Sequence, residues 1–183
     1  MSTSFAIHKA ARIIRNGGVV AYPTEGIFGL GCLPDECGAV ERILAIKQRS
    51  HSQGLILIAA DTASLKGWVG TSFDLPLSTA NPVTWIVPAG PAVPPWIKGR
   101  HQGVAVRVTA HPVAAALCRT AGSALVSTSA NTSGRPPAIN EYVLRRQFHA
   151  LVDYIVPGRC SLPGSPSEIR ELESGRILRP ARQ

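Results

Sequence analysis

Aromatic side chains, acids, paired cysteines and long apolar runs are all scarce in this chain. Aromatic residues make up 5% of it, leaving few rings for a surface whose main task is stacking on unpaired nucleobases. The four cysteines, Cys32, Cys37, Cys118 and Cys160, form no C-x-x-C pair and have no histidine at ligand spacing. Reduced, mostly buried thiols are therefore the better reading and a zinc site the weaker one. No other metal-ligand set is evident. Apolar runs such as Leu55-Ile56-Leu57-Ile58-Ala59-Ala60 fall far short of the ~20 residues a membrane helix needs. The N-terminus also lacks a basic stretch leading into an apolar one. A cytoplasmic protein with no membrane partner is expected. Neither a P-loop nor a Gly-x-Gly-x-x-Gly fingerprint occurs, which removes the two commonest phosphate-loop signatures. Repeats, low-complexity stretches and linkers are missing too, so one domain spanning 1–183 is expected. At 45% hydrophobic content it should bury roughly 70% of the surface its unfolded chain exposes.

The shortage of acids is the first positive clue. Eleven Asp plus Glu stand against nineteen Lys plus Arg, for a net charge of +8, and fifteen of the nineteen cations are Arg. Guanidinium binds phosphate in a planar, two-pronged way, so the bias fits a phosphate-bearing partner, whether nucleotide or RNA.

Helical and strand-like segments alternate. Phe5, Ala10, Ile13 and Ile14 mark one face of a first helix that Asn16-Gly17-Gly18 closes. A strand at Val19–Tyr22 ends at Pro23, and Asp35 is placed to cap a second helix carrying Val40, Ile43 and Leu44 on one face. Further strands are expected at 55–58, 83–87, 104–108, 125–126, 152–155 and 176–179. Helices are expected from Asp61 or Thr62 to Trp68, from Pro112 to Arg119, and over 141–147. The pattern predicts an α/β fold, a mixed sheet flanked by helices.

Two segments carry most of the chemistry. Lys47-Gln48-Arg49 puts two cations at a helix end, where they either answer the helix dipole or bind an anion. Ser127-Thr128-Ser129-Ala130-Asn131-Thr132-Ser133-Gly134 gathers hydroxyls and amides after a strand, suited to a polyanion such as a nucleoside triphosphate. Between Tyr22 and Gly31 three glycines fall within six positions. They form either an ordinary connection or a turn that lets a ligand approach the main chain. Glu25 there either binds a metal or faces water. Arg107 interrupts an apolar strand and needs an anionic partner, a protein carboxylate or a substrate one. Arg179 poses the same question, and Ser167 sits in a nearby turn.

Seven strings occur in a set order: Tyr-Pro-Thr-Glu-Gly-Ile-Phe-Gly-Leu-Gly-Cys (22–32), Lys-Gln-Arg (47–49), Gly-Leu-Ile-Leu-Ile (54–58), Pro-Val-Thr (82–84), Val-Ala-Val-Arg (104–107), Ser-Thr-Ser-Ala-Asn-x-Ser-Gly (127–134) and Leu-Arg-Pro (178–180). In that order they resemble the YrdC-like family, in its short bacterial form, across nearly the whole chain. The resemblance implies an open, twisted sheet of parallel and antiparallel strands flanked by helices around a large basic concave cavity. It implies an enzyme that condenses L-threonine, bicarbonate and ATP into threonylcarbamoyl-adenylate and pyrophosphate, with ATP as substrate and Mg²⁺ accompanying it. The product would serve the t6A modification of tRNAs that read codons beginning with A, through the partner proteins TsaD, TsaB and TsaE. Contact with tRNA or double-stranded RNA is implied as well, and a non-catalytic RNA-binding module is the alternative. Carbamoyl transfer in hydrogenase maturation is a third reading, less favoured because acylphosphatase-like and zinc-binding modules are expected to be absent.

By the same resemblance Lys47 and Arg49 fall on the ATP phosphates, Ser129 and Asn131 form the Ser-x-Asn partner motif with Ser129 near ATP, and Arg179 binds nucleotide. Threonine would be held by Arg107 at its carboxylate, by Ser127 and Ser167, and by the loop from Thr24 to Gly26. The chain departs from the family pattern at Gly26, Phe28, Ser50, Gln53 and Ile58, and at Thr79-Ala80-Asn81.

Overall fold

In a computed structural model the described residues are 2–70, 75, 82–161, 164 and 166–181. Helix α1 (Thr3–Arg15) starts at Ser2, whose hydroxyl accepts from the Phe5 amide. Its buried stripe is Ala6, Ile7, Ala10, Ala11 and Ile14, the spacing of one helical face. Phe5 lies off that stripe and is 55% exposed, correcting its expected place in the core. Strands β1 (Val20–Pro23) and β2 (Phe28–Gly31) pair antiparallel, Val20 opposite Gly31. The glycine-rich stretch is therefore largely strand. Gly31 is needed there because a Cβ would sit 2.5 Å from the Val126 carbonyl and 2.8 Å from the Tyr22 ring.

Helix α2 (Cys37–Lys47) begins at Glu36 without a side-chain cap, so Asp35 does not play the part expected of it. Strand β3 (Ile56–Ala59) follows, and then only a short turn of 3-10 helix at Ala63–Leu65. Asp61 accepts from both the amide and hydroxyl of Ser64, closing the turn that was expected to become a helix through Trp68. Strand β4 (Val83–Pro88), the short helix α3 (Pro95–Lys98) and β5 (Gly103–Val108) come next. Helix α4 (Pro112–Ala121) is capped by His111, and β6 (Leu125–Ser129) runs on into the hydroxyl segment. Helix α5 (Glu141–Phe148), capped by Asn140, precedes β7 (Tyr154–Ile155), β8 (Glu168–Glu171) and β9 (Ile177–Arg179).

The strands form a mixed sheet in the order β7-β1-β2-β6-β3-β5-β4-β8-β9. β3 runs parallel to β5 and antiparallel to β6. Alternate residues of a strand face opposite sides, and here they feed two cores. Ala21, Leu57 and Val126 pack with α2 and α5, while Val20, Tyr22, Ile58 and Leu125 pack with α1 and α4. This is the mixed, helix-flanked sheet expected from the sequence. Among the described residues no helix is long and apolar enough to cross a membrane. The cysteines are free, with Cys32, Cys118 and Cys160 buried and Cys37 exposed. The Thr79-Ala80-Asn81 departure lies outside the described residues.

Candidate functional site

A cavity of about 320 Å³ opens over the strands at the middle of the sheet. That volume is at the small end of the range for sites that enclose small molecules. Of the residues expected to bind ligand, Thr24, Gly26, Arg49, Arg107, Ser127, Ser129, Ser167 and Arg179 all line it. Lys47 and Asn131 do not reach its surface.

Lys47 is 3% exposed, and its side chain reaches the segment that follows β6, beside Ser129 of the lining. Its Nζ lies 2.6 Å from the Ser129 carbonyl, 3.0 Å from the Asn131 carbonyl, 2.8 Å from Asn131 Oδ1 and 3.3 Å from Ser129 Oγ. An ammonium has three protons to donate, so these oxygens use it fully. The Ser129 hydroxyl donates to Asn131 Oδ1 at 2.6 Å, and the Ser133 amide donates to the Lys47 carbonyl. Lys47 thus fastens the end of α2 to the Ser-x-Asn loop. Gln48 closes α2 between the two cations. It adopts the left-handed region, φ 50°, at a cost of roughly 1–2 kcal/mol for a non-glycine residue. The following Arg49 amide returns to the Leu44 carbonyl, and its side chain faces the cavity. There Arg49 Nη2 donates to the Gly54 and Gln53 carbonyls at 2.8 and 3.3 Å, and its buried Nε has no partner among the described residues.

Burial and the neighbouring Arg49 cation push the Lys47 ammonium down to about 8 from 10.5. Below about pH 8 both folded and unfolded chains carry the proton, and the cost of burying it is present in full. Between about 8 and 10.5 the unfolded chain binds more protons, so this group's contribution to stability rises with pH. The loop fastening needs the ammonium, so catalytic rate is expected to fall above about pH 8 while denaturant midpoints do not fall with it. Parallel rate and urea-unfolding series across pH 7–10 check this; a flat rate profile would remove the protonation requirement.

At the opposite end, Arg107 is 7% exposed and lines the cavity. Its anionic partner is a protein carboxylate: Glu25 Oε2 at 3.4 Å. Glu25 is 3% exposed, so it does not face water. Among the described residues no cluster of three or more His, Cys, Asp or Glu could hold a metal. Nearby, Ser167 Oγ pairs with Thr84 Oγ1 at 2.7 Å, and Arg179 Nη2 donates to the Ser167 carbonyl at 2.7 Å. Thr24 Oγ1 donates to the Ile27 carbonyl at 2.6 Å, shaping the turn that carries Gly26 to the rim. Three departures from the family pattern have physical explanations. Ser50 caps a turn of 3-10 helix at His51–Gln53, Gln53 lines the cavity, and Ile58 packs in the α1–α4 core away from the lining.

Sequence reading missed Lys98 and His101, which add an amine and an imidazole to the lining. Both follow a proline-rich stretch without periodicity, which gave no signal. The described lining contains no Asp or Glu. A hydroxyl-rich wall, several arginines and no carboxylate define a pocket for an anionic ligand.

Comparison with known proteins agrees with this class. A model of the Sua5/YciO/YrdC domain, described as telomere recombination, matches residues 12–181. A protein of Nitrosococcus oceani named threonylcarbamoyl-AMP synthase is 53% identical, covering 96% of this chain and 98% of its own. One of the same name from Methylococcus capsulatus is 46% identical, covering 97% and 98%. Among solved structures, P. abyssi Sua5 complexed with L-threonine superposes with a TM-score of 0.85 at 29% identity over 96% of this chain and 54% of that one. This chain therefore spans about half of that longer protein. E. coli YciO shares the fold, with a TM-score of 0.84 at 23% identity over 98% and 90% of the two chains. The chain belongs to the Sua5/YciO/YrdC family.

Proposed function

We propose that this protein is a threonylcarbamoyl-AMP synthase, a nucleotidyltransferase that joins L-threonine, bicarbonate and ATP and releases pyrophosphate. The observation that carries the reading is the cavity, lined by arginines and serines and free of carboxylates among its described residues, in a chain 53% identical to a protein of that name. Threonine's amine attacks bicarbonate to give a carbamate and water. A carbamate oxygen then attacks the α-phosphorus of ATP, and the bond to the pyrophosphate oxygen breaks. No protein nucleophile is required. The work is to hold two anions together and to neutralise charge growing on the leaving group, which fixed cations and dipoles do.

In this reading Arg49, Ser129 and Arg179 contact ATP, and Lys47 with Asn131 holds Ser129 in place. Arg107, Ser127, Ser167 and the Thr24–Gly26 turn take threonine. Mg²⁺ enters as part of the ATP substrate. It favours carboxylate and phosphate oxygens, and the described lining offers no carboxylate to fix a resident ion. The net charge of +8 also supports contact with tRNA, and the labile adenylate would pass to TsaD, TsaB and TsaE in the cytoplasm.

Pyrophosphate release from ATP is expected only when threonine and bicarbonate are both present. Folded protein that binds RNA in a steeply salt-dependent way yet releases no pyrophosphate under these conditions would favour the non-catalytic module instead.

A further inference from the structure

Glu25 and Arg107 form a buried pair of an unusual kind. Glu25 Oε1 accepts from Thr109 Oγ1 at 2.7 Å and from the Ala110 amide at 3.1 Å, so the carboxylate is fixed from behind. Its other oxygen, Oε2, lies 3.4 Å from Arg107 Nη2. No hydrogen bond is formed there: Oε2 and Arg107 Nε both lack a hydrogen-bond partner among the described residues. A carboxylate and a guanidinium in direct register normally make two parallel hydrogen bonds and consume the donors of both edges. Here the carboxylate is already held, and only its charge reaches the arginine.

That arrangement has a consequence at the cavity. A guanidinium 7% exposed is costly without an anion close by. Glu25 supplies the anion without accepting a hydrogen bond from the guanidinium, and Arg107 lines the cavity. The strand geometry contributes as well. Arg107 stands opposite Ile58 in β3, an apolar neighbour that offers it no side-chain oxygen.

We propose that Glu25 is a positioning residue for the amino-acid substrate, holding Arg107 at the cavity wall by charge alone so that its hydrogen bonds are left for the substrate carboxylate. The assignment rests on the function proposed above, and it separates Glu25 from residues that touch substrate. Glu25→Gln keeps the size and the acceptor toward Thr109 but removes the charge. Its KM for threonine is expected to rise about tenfold or more, with the KM for ATP within about twofold of the original. Preference for L-threonine over L-threoninamide, which lacks the carboxylate, is expected to shrink in the same variant. A merely structural pair would lower the melting temperature and leave both ratios unchanged.

Thr109→Val provides the second arm, loosening the carboxylate while keeping both charges, and should raise the threonine KM by a smaller factor. The experiment measures both KM values and the threonine-to-threoninamide ratio for the parent and the two variants, with thermal melting as the control for folding. If Glu25→Gln does not fold, Thr109→Val decides by the same criterion. A normal threonine KM in whichever folded variant is measured overturns the positioning role alone. Absence of threonine-dependent product with the parent protein overturns the function reading, and this inference with it.

Discussion

Lys47→Ala is expected to reduce adenylate formation by about 100-fold, the size of losing one fixed donor at a developing charge. The reason differs from that for a simple phosphate ligand. Removing the ammonium leaves the Ser129 carbonyl, the Asn131 carbonyl and Asn131 Oδ1 without the donor they share. Asn131 Oδ1 keeps the Ser129 hydroxyl and the Ser129 carbonyl keeps the Asn131 amide, so the loss falls mainly on the Asn131 carbonyl, at about 1 kcal/mol for a half-buried acceptor, offset in part because burying the cation was itself unfavourable. The Ser-x-Asn loop then loses its fastening to α2, and Ser129 loses its fixed place at the cavity. The variant should therefore show both a lowered melting temperature and a lowered kcat. A phosphate ligand alone would lower kcat without softening the fold. Thermal melting beside single-turnover kinetics distinguishes the two.

Arg49→Ala is expected to cost about as much in rate, roughly 100-fold, with little loss of stability. Arg49 gives the protein only two bonds to main-chain carbonyls, at Gln53 and Gly54. Its buried Nε has no partner among the described residues. Little of the fold therefore depends on its side chain. Arg49→Lys keeps a charge but not the planar fork, and should recover part of the rate. ATP affinity and kcat measured for both variants provide the check, and near-normal turnover in Arg49→Ala would remove Arg49 from the ATP site.

The contrast between these neighbouring cations shows what sequence could and could not tell. Lys47, Arg49, Ser129 and Asn131 were all legible as one chemical group, because cations beside a hydroxyl-rich loop suit a polyanion. Their individual contacts were not legible, because Lys47 meets the Ser-x-Asn loop and Arg49 the Gln53 and Gly54 carbonyls only through the packing around the left-handed Gln48. Apolar alternation identified β1, β3, β4 and β5. It did not identify β2, where glycines replace side chains because β6 and Tyr22 approach too closely for them. Nor did it reveal β8, where Glu168, Arg170 and Glu171 obscure the pattern; the bond from Arg170 to Glu168 and the stacking of Arg170 on Trp85 explain how those charges are accommodated. Glu25 illustrates the same limit. Its type allowed a metal ligand or a solvated acid, and only the long-range meeting with Arg107 and Thr109 gave it a third role.

The central claim is that one cavity brings threonine, bicarbonate and ATP together for a single condensation. Isotopically labelled bicarbonate, incubated with the protein, ATP, Mg²⁺ and L-threonine, tests it most directly. The account predicts that label appears in a threonine-containing adenylate in equal amount to released pyrophosphate, and that omitting threonine abolishes both. Pyrophosphate released without threonine, or an adenylate carrying no bicarbonate carbon, would contradict it.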